Sequence, residues 1–189
     1  DSLRLRQVMP GRLEATFGGG ELNVAVSLAY QGGESAFLTA SPDNPITDAL
    51  TQEMRKLGVD DSLVQRVDNG RFGIYFVETG ANQRSGTVVY DRSNSSIALA
   101  GAESFDFKAA FEGADWFHIT GITPAISRSA AEAALASVQA AKAQGLMVSC
   151  DLNFRKKLWK WDGSKSPVEL AQATMAELVK HIDVVIANE

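Results

Sequence analysis

The sequence predicts a layered α/β fold with a small β outgrowth, and three observations lead there. Strand-like runs alternate with helical patterns in the first third of the chain and again in the last half. Between these regions, three strand-like runs follow one another with no helical stretch between them. The late runs at 146–151 and 183–187 are apolar almost throughout, as strands buried in a parallel sheet are.

Each element follows from its residues. Residues 12–17 alternate polar and apolar, which suits a strand. Residues 21–30 place Leu22, Val26 and Ala29, with Ala25 between, on one helical face. Residues 34–40 read as a strand. Asn44-Pro45 supplies a cap and a first-turn proline for a helix over 46–57, closed by Gly58. Strands are then expected at 63–67, 72–78 and 87–92. The last two are joined by TGANQRSG, a polar, glycine-bearing hairpin connection. Such a run inside an alternating chain implies a separate small sheet. Alternation returns with a strand at 116–120. Ser129 and Glu132 have the spacing of a capping box for an alanine-rich helix that reaches Gln144 and ends at Gly145. Residues 146–151 are the next strand. Ser166-Pro167-Val168-Glu169 combines a capping serine, a first-turn proline and a third-position glutamate, so a helix to residue 180 is expected. A buried strand at 183–187 follows. Strands joined by helices of this length pair in parallel through right-handed crossovers.

Composition narrows the function. The 189 residues are 45% hydrophobic and 22% charged, with a net charge of -5, which suits a globular protein with a sizeable core. No basic stripe suited to a nucleic-acid backbone is present, so nucleic acid is not an expected partner. Apolar runs such as 183–187 are too short to span a bilayer, and the opening DSLRLRQVMP lacks the apolar segment of a signal peptide. No membrane partner is expected. The single cysteine, Cys150, allows no internal disulfide and fits a reducing cytoplasm; in its strand-like run it reads as a buried, inert thiol. The chain opens on Asp1 and closes at Glu189, directly after a strand, and reads as part of a longer protein.

The chemistry-bearing stretch is FGGGELNVAVSLA, 17–29, where three glycines run into a helix. A phosphate cradle fails on spacing: there is no G-x-x-x-x-G-K-[ST], and GGGELN is not G-x-G-x-x-G. Two readings remain open. Either helix and strand pack too closely for a side chain, or a polyol lies on bare backbone with Asn23 aimed at its hydroxyls. A second stretch, CDLNFRKKLW, 150–159, presents Asp151, Asn153 and Arg155 at the C-terminal end of a strand, where α/β sheets bind ligands. A guanidinium there can grip a carboxylate or phosphate at two points, whereas Lys156 and Lys157 read as a solvated loop. His118 and His181 lack zinc-ligand spacing and read as structural, and Trp159 and Trp161 as packing residues.

Together these stretches resemble the PfkB (ribokinase-like) carbohydrate kinases, and within them the 2-keto-3-deoxygluconate kinases. The similarity runs through GGGELNVAVSLA, TASPDNP, FGIYFVE, VVYDRSNSS, HITGITPAIS and CDLNFRKKLW, from Gly11 to Glu189. It implies a ribokinase-like three-layer α/β/α sheet with a projecting β lid, whose segments would be 11–17, 34–40 and 63–93. It implies ATP and Mg²⁺ as cofactors, and phosphorylation of a hydroxyl on a sugar acid, with 2-keto-3-deoxygluconate foremost. The family's first strand would precede Asp1. Its Gly-Ala-Gly-Asp segment, with the catalytic base, would lie beyond Glu189 with the ATP-binding part, and Asn188-Glu189 would open its Asn-x-x-Glu motif. Thr47 stands where the family often has a glycine.

Carried over by resemblance, the substrate contacts fall on Gly19, Gly20 and Asn23, with Glu21 and Leu22 in the same segment. Tyr75, Tyr90 and Arg92 would close over the sugar from the lid, and Gly121 and Ile122 would meet it from the HITGITP loop. Asn153 and Arg155 would face the nucleotide. No catalytic residue and no metal ligand is expected within the chain. The lid strands, with apolar faces, are expected to join two subunits in a homodimer. A kinase for neutral sugars such as fructose or ribose, or a sugar-acid-binding protein without catalysis, are the alternatives.

Overall fold

The computed structural model describes residues 9–188. Its elements in order are α1 (Gly20–Tyr30), β1 (Thr39–Pro42), α2 (Pro45–Lys56), β2 (Val64–Val67), β3 (Ile74–Glu78) and β4 (Thr87–Asp91). Then come the single turns α3 (Ser96–Leu99) and α4 (Phe107–Ala110), β5 (Trp116–Thr120), α5 (Thr123–Ile126), α6 (Arg128–Ala143), β6 (Met147–Asp151), α7 (Pro167–Leu178) and β7 (Val184–Ile186). The result is an α/β fold in which β1 pairs β2 and β5-β6-β7 form a sheet, all in parallel, while β3 and β4 pair antiparallel.

Local chemistry explains the helices. The Asn44 side chain accepts from Ile46 N at 3.0 Å and Thr47 N at 3.2 Å, with Pro45 in the first turn of α2. Thr47, fully buried, donates its hydroxyl to the Pro42 carbonyl, which ties α2 to β1. The capping box of α7 forms between Ser166 and Glu169 as the sequence predicts, and a single 3₁₀ turn extends the helix to His181. At α6 the structure differs. Ser127, not Ser129, is the cap, accepting from Ala130 N at 3.0 Å while donating to the Ala98 carbonyl at 2.6 Å. The helix starts where α5 ends, two residues earlier than the Ser129 spacing suggests.

The strands depart from expectation in four places. Residues 12–17 form no strand. The strand expected at 34–40 begins at Thr39, after an isolated bridge between Ala36 and Asp60. β2 joins β1 in parallel register, Thr39 opposite Val64, so of the segments expected in the outgrowth only 74–78 and 87–91 pair antiparallel. Val184, Val185 and Ile186 are 38–50% exposed rather than buried among the described residues, where β7 is the last strand in the order β5-β6-β7.

Helices pack on both faces of the β5-β6-β7 sheet, on one of them only at the C-terminal end of β5. On one side Ile119, Val148 and Cys150 pack against Ala134, Val138 and Ala141 of α6 and Leu178 of α7. The alanines let α6 sit close to the sheet, and burial of such a cluster removes apolar surface at about 25 cal/mol per Å². On the other side α1 meets the C-terminal end of β5, where Glu21 bonds Thr120. A second cluster, Leu22, Ala25, Leu50, Met54 and Val59, holds α1 to α2. Trp159 is buried with Ala125 and Leu170, and Trp161 donates to the Pro124 carbonyl at 3.1 Å, so both tryptophans pack. Among the described residues no helix is long and apolar enough to cross a membrane.

Candidate sugar-binding site

The glycine loop, the hairpin and the ends of β5 and β6 meet. Gly19, with φ at +147°, turns the chain into α1 in a conformation side chains rarely adopt, and no side chain caps the helix. Its neighbours lie close to other segments. A Cβ on Gly18 would stand 2.9 Å from the Tyr75 hydroxyl; one on Gly20 would stand 3.2 Å from Thr120 Cγ2 and 3.9 Å from Asn153 Nδ2. Space is therefore tight at Gly20 against Thr120, while Gly18 meets only the far end of the Tyr75 side chain, and these approaches bring the hairpin and the DLN segment to the loop. Asn23, one turn into α1, is exposed.

Tyr75 and Tyr90 are direct cross-strand partners, with ring centroids 6.5 Å apart and planes at 52°. Alternation puts Arg92 on their face, and its Cζ lies 5.4 Å from the Tyr75 centroid and 5.1 Å from that of Tyr90. This is the face that reaches Gly18. Stacking on two rings steadies the guanidinium without consuming its N–H donors. Among the described residues no carboxylate forms an ion pair with Arg92, whereas the nearby Asp91 is taken by Arg71 on the opposite face.

At the sheet, Gly121 N donates to the Asp151 carbonyl at 2.8 Å. A Cβ on Gly121 would overlap the Leu152 carbonyl oxygen, so this position admits no side chain. Ile122, half-buried, is the residue just before α5 and donates its N–H to Thr120 Oγ1 at 3.2 Å. Asn153 has φ at 38°, a left-handed conformation that asparagine tolerates, stabilised by its N–H bond to Asp151 Oδ1 at 3.1 Å. Arg155 is exposed on the following loop and donates to the Phe154 carbonyl at 3.3 Å.

Two of the expected contact residues are engaged by the protein itself. Leu22 turns into the α1–α2 core at 6% exposure, because the α1 stripe that packs on α2 contains it. Glu21 spends one carboxylate oxygen on Thr120 and Thr123. Sequence reasoning missed those threonines; their flanking of Gly121 in TGIT was the available signal. Beneath them His118 Nδ1 pairs with Ser149 Oγ at 2.8 Å, and burial lowers its pKa against the opposing pull of Glu21 and Asp151. Cys150 is fully buried, and burial, with Asp151 and Glu21 adding, pushes its thiol up to about 12. Glu189 lies outside the described residues, and Asn188 is exposed.

The sequence pattern of the pfkB family carbohydrate kinases matches residues 5–189. The chain belongs to this family. It is 33% identical over 177 residues to the 2-dehydro-3-deoxygalactonokinase of Haloferax volcanii, covering 94% of this chain and 53% of that protein. The crystal structure of the 2-dehydro-3-deoxygluconokinase of Thermotoga maritima superposes with a TM-score of 0.90 at 40% identity, over 100% of this chain and 55% of the other. The fructokinase of Xylella fastidiosa, solved with bound ATP, gives 0.75 at 27% identity, over 89% and 49%. The chain thus spans about half the length of these pfkB relatives, and its α/β architecture is theirs.

Proposed function

We propose that this chain forms the sugar-binding half of an ATP-dependent kinase that phosphorylates a hydroxyl of a 2-keto-3-deoxy sugar acid, 2-keto-3-deoxygluconate foremost. The observation that carries this reading is Arg92. Its guanidinium rests on Tyr75 and Tyr90, on the hairpin face that reaches the glycine loop, without an ion-paired carboxylate of its own among the described residues. A sugar acid brings the missing carboxylate. The relatives named for 2-keto-3-deoxy sugar acids support the choice of substrate class.

Phosphoryl transfer asks little covalent chemistry of the protein, so positioning and charge carry the rate. In this reading the backbone at Gly19 and Gly20 and the amide of Asn23 hold the sugar hydroxyls, and Gly121 and Ile122 bound it from the sheet side. The two tyrosines and Arg92 close over it and exclude water. Asn153 and Arg155, at the C-terminal end of β6, face the triphosphate; an exposed guanidinium there fits an anion. Mg²⁺ would neutralise phosphate charge when bound, but the described residues contain no group of three His, Cys, Asp or Glu fit to hold it. We place the protein in the cytoplasm as a homodimer joined through the outer hairpin face, where Ile74 and Val89 are 44% and 48% exposed.

The test is a ratio. A charge-assisted contact contributes about 1.5–3 kcal/mol, so Arg92→Ala in the natural protein that contains this chain should lower kcat/KM for 2-keto-3-deoxygluconate by about one to two decades. Turnover of fructose, which has no carboxylate, should stay nearly unchanged. Equal losses on both sugars would make Arg92 a support of the hairpin and remove the ground for a sugar acid. The fructokinase likeness makes a neutral-sugar kinase the second reading, and wild-type preference for fructose would establish it.

A further inference from the structure

We propose that Glu21 is a positioning residue, whose carboxylate locks the glycine loop to the end of β5 and sets the gap across which the sugar lies. The inference rests on the site reading given above and assigns Glu21 a role without substrate contact.

Glu21 sits in the first turn of α1, where a negative charge is favourable on general grounds. A helix-dipole role would leave the side chain in solvent. Instead its Oε1 accepts from Thr120 N at 3.2 Å, Thr120 Oγ1 at 2.8 Å and Thr123 Oγ1 at 2.7 Å. These partners lie 99 and 102 residues away in sequence and bracket Gly121-Ile122. Each threonine hydroxyl has a single hydrogen, and each spends it on Glu21. Thr120 Oγ1, having donated, accepts from Ile122 N at 3.2 Å. One carboxylate oxygen thereby orders a chain of bonds from α1 through the end of β5 into the first residue of the turn.

Geometry makes this clamp consequential. A Cβ at Gly20 would stand 3.2 Å from Thr120 Cγ2, so α1 and β5 leave little room for a side chain between them. Hydrogen bonds to an ionised acceptor are about twice as strong as neutral ones, which suits a tie between two segments with no covalent link nearby. Three converging donors also stabilise the carboxylate where it stands. A displacement of about 1 Å at a site of this kind costs up to about a hundredfold in rate.

The natural protein would be compared as wild type, Glu21→Leu, Glu21→Gln, Thr123→Val and Glu21→Leu/Thr123→Val, on whichever sugar the wild type phosphorylates. Glu21→Leu should raise KM for the sugar about ten- to a hundredfold and leave KM for ATP unchanged. Glu21→Gln keeps the acceptor oxygen and should restore most of the loss. Thr123→Val should reproduce part of the effect and add little to Glu21→Leu, since both cut one clamp. Additive losses, or a neutral Thr123→Val, would mean that Glu21 touches the sugar directly and would overturn the proposal. Parallel rises in both KM values would reduce Glu21 to general stability and also overturn it. A wild type inert on every sugar acid refutes the proposed function instead. In that event native-state hydrogen exchange still decides: the Thr120 and Ile122 amides should exchange at least about tenfold faster in Glu21→Leu and at wild-type rates in Glu21→Gln. Unchanged protection in both variants would refute the clamp.

Discussion

Adding one methyl group at Gly121 tests how the end of β5 is joined to the segment that carries Asn153. In Gly121→Ala the new Cβ would overlap the Leu152 carbonyl oxygen and stand 3.0 Å from its carbon, whereas ordinary contact begins at 3.4 Å. The obstacle is backbone, and it is tethered: Leu152 N donates to the Ile186 carbonyl at 2.9 Å, and the Asp151 carbonyl holds Gly121 N at 2.8 Å. Relief requires the two segments to part by roughly an ångström, because a close-packed interior offers no slack. Such an opening breaks the Gly121–Asp151 bond, a net loss of about 1 kcal/mol. Overpacking adds about 1–3 kcal/mol. The sum, about 2–4 kcal/mol, is a large share of the roughly 5–15 kcal/mol that stabilises an ordinary domain. Urea unfolding monitored by tryptophan fluorescence measures it, with Gly163→Ala as the control. A Cβ at Gly163 meets nothing within 4 Å, so that variant should be neutral or gain about 0.4–1 kcal/mol through its stiffer unfolded chain. If Gly121→Ala unfolds at the same urea concentration as Gly163→Ala, the steric account of this position is wrong.

Two further outcomes follow from burial. The Cys150 thiol, fully buried and pushed up to about 12, should resist a thiol-exchange reagent at pH 8 until the protein is unfolded; stoichiometric labelling of the folded protein would contradict that burial. The natural protein should scatter light as a dimer at micromolar concentration, and Val89→Lys, on the outer hairpin face, should shift it to monomer; a monomeric wild type would refute pairing through that face.

What the sequence determined by itself is whatever a few neighbouring residues decide. The caps at Asn44 and at Ser166 with Glu169 are satisfied within three positions, so they were legible and formed as expected. The hairpin pairing of Tyr75 with Tyr90 follows from alternation on either side of one loop, and with it the placement of Arg92 on their face. The glycine and DLN stretches were legible as candidate site segments for the same reason, since their chemistry is written in consecutive residues. Tertiary structure decided the rest. Ser127 prevails over Ser129 because α5 ends at Ile126 and the Ala98 carbonyl waits for the Ser127 hydroxyl. β2 joins β1 across a helix instead of its neighbour β3, and period-two alternation carries no information about which edge a strand will choose. Leu22 and Glu21 are adjacent in one motif, yet the 3.6-residue turn sends one into the α1–α2 core and the other toward threonines about a hundred residues away. Gly121 reads as an ordinary glycine until the Leu152 backbone is seen crossing it, because a close approach between chain segments exists only once both are folded.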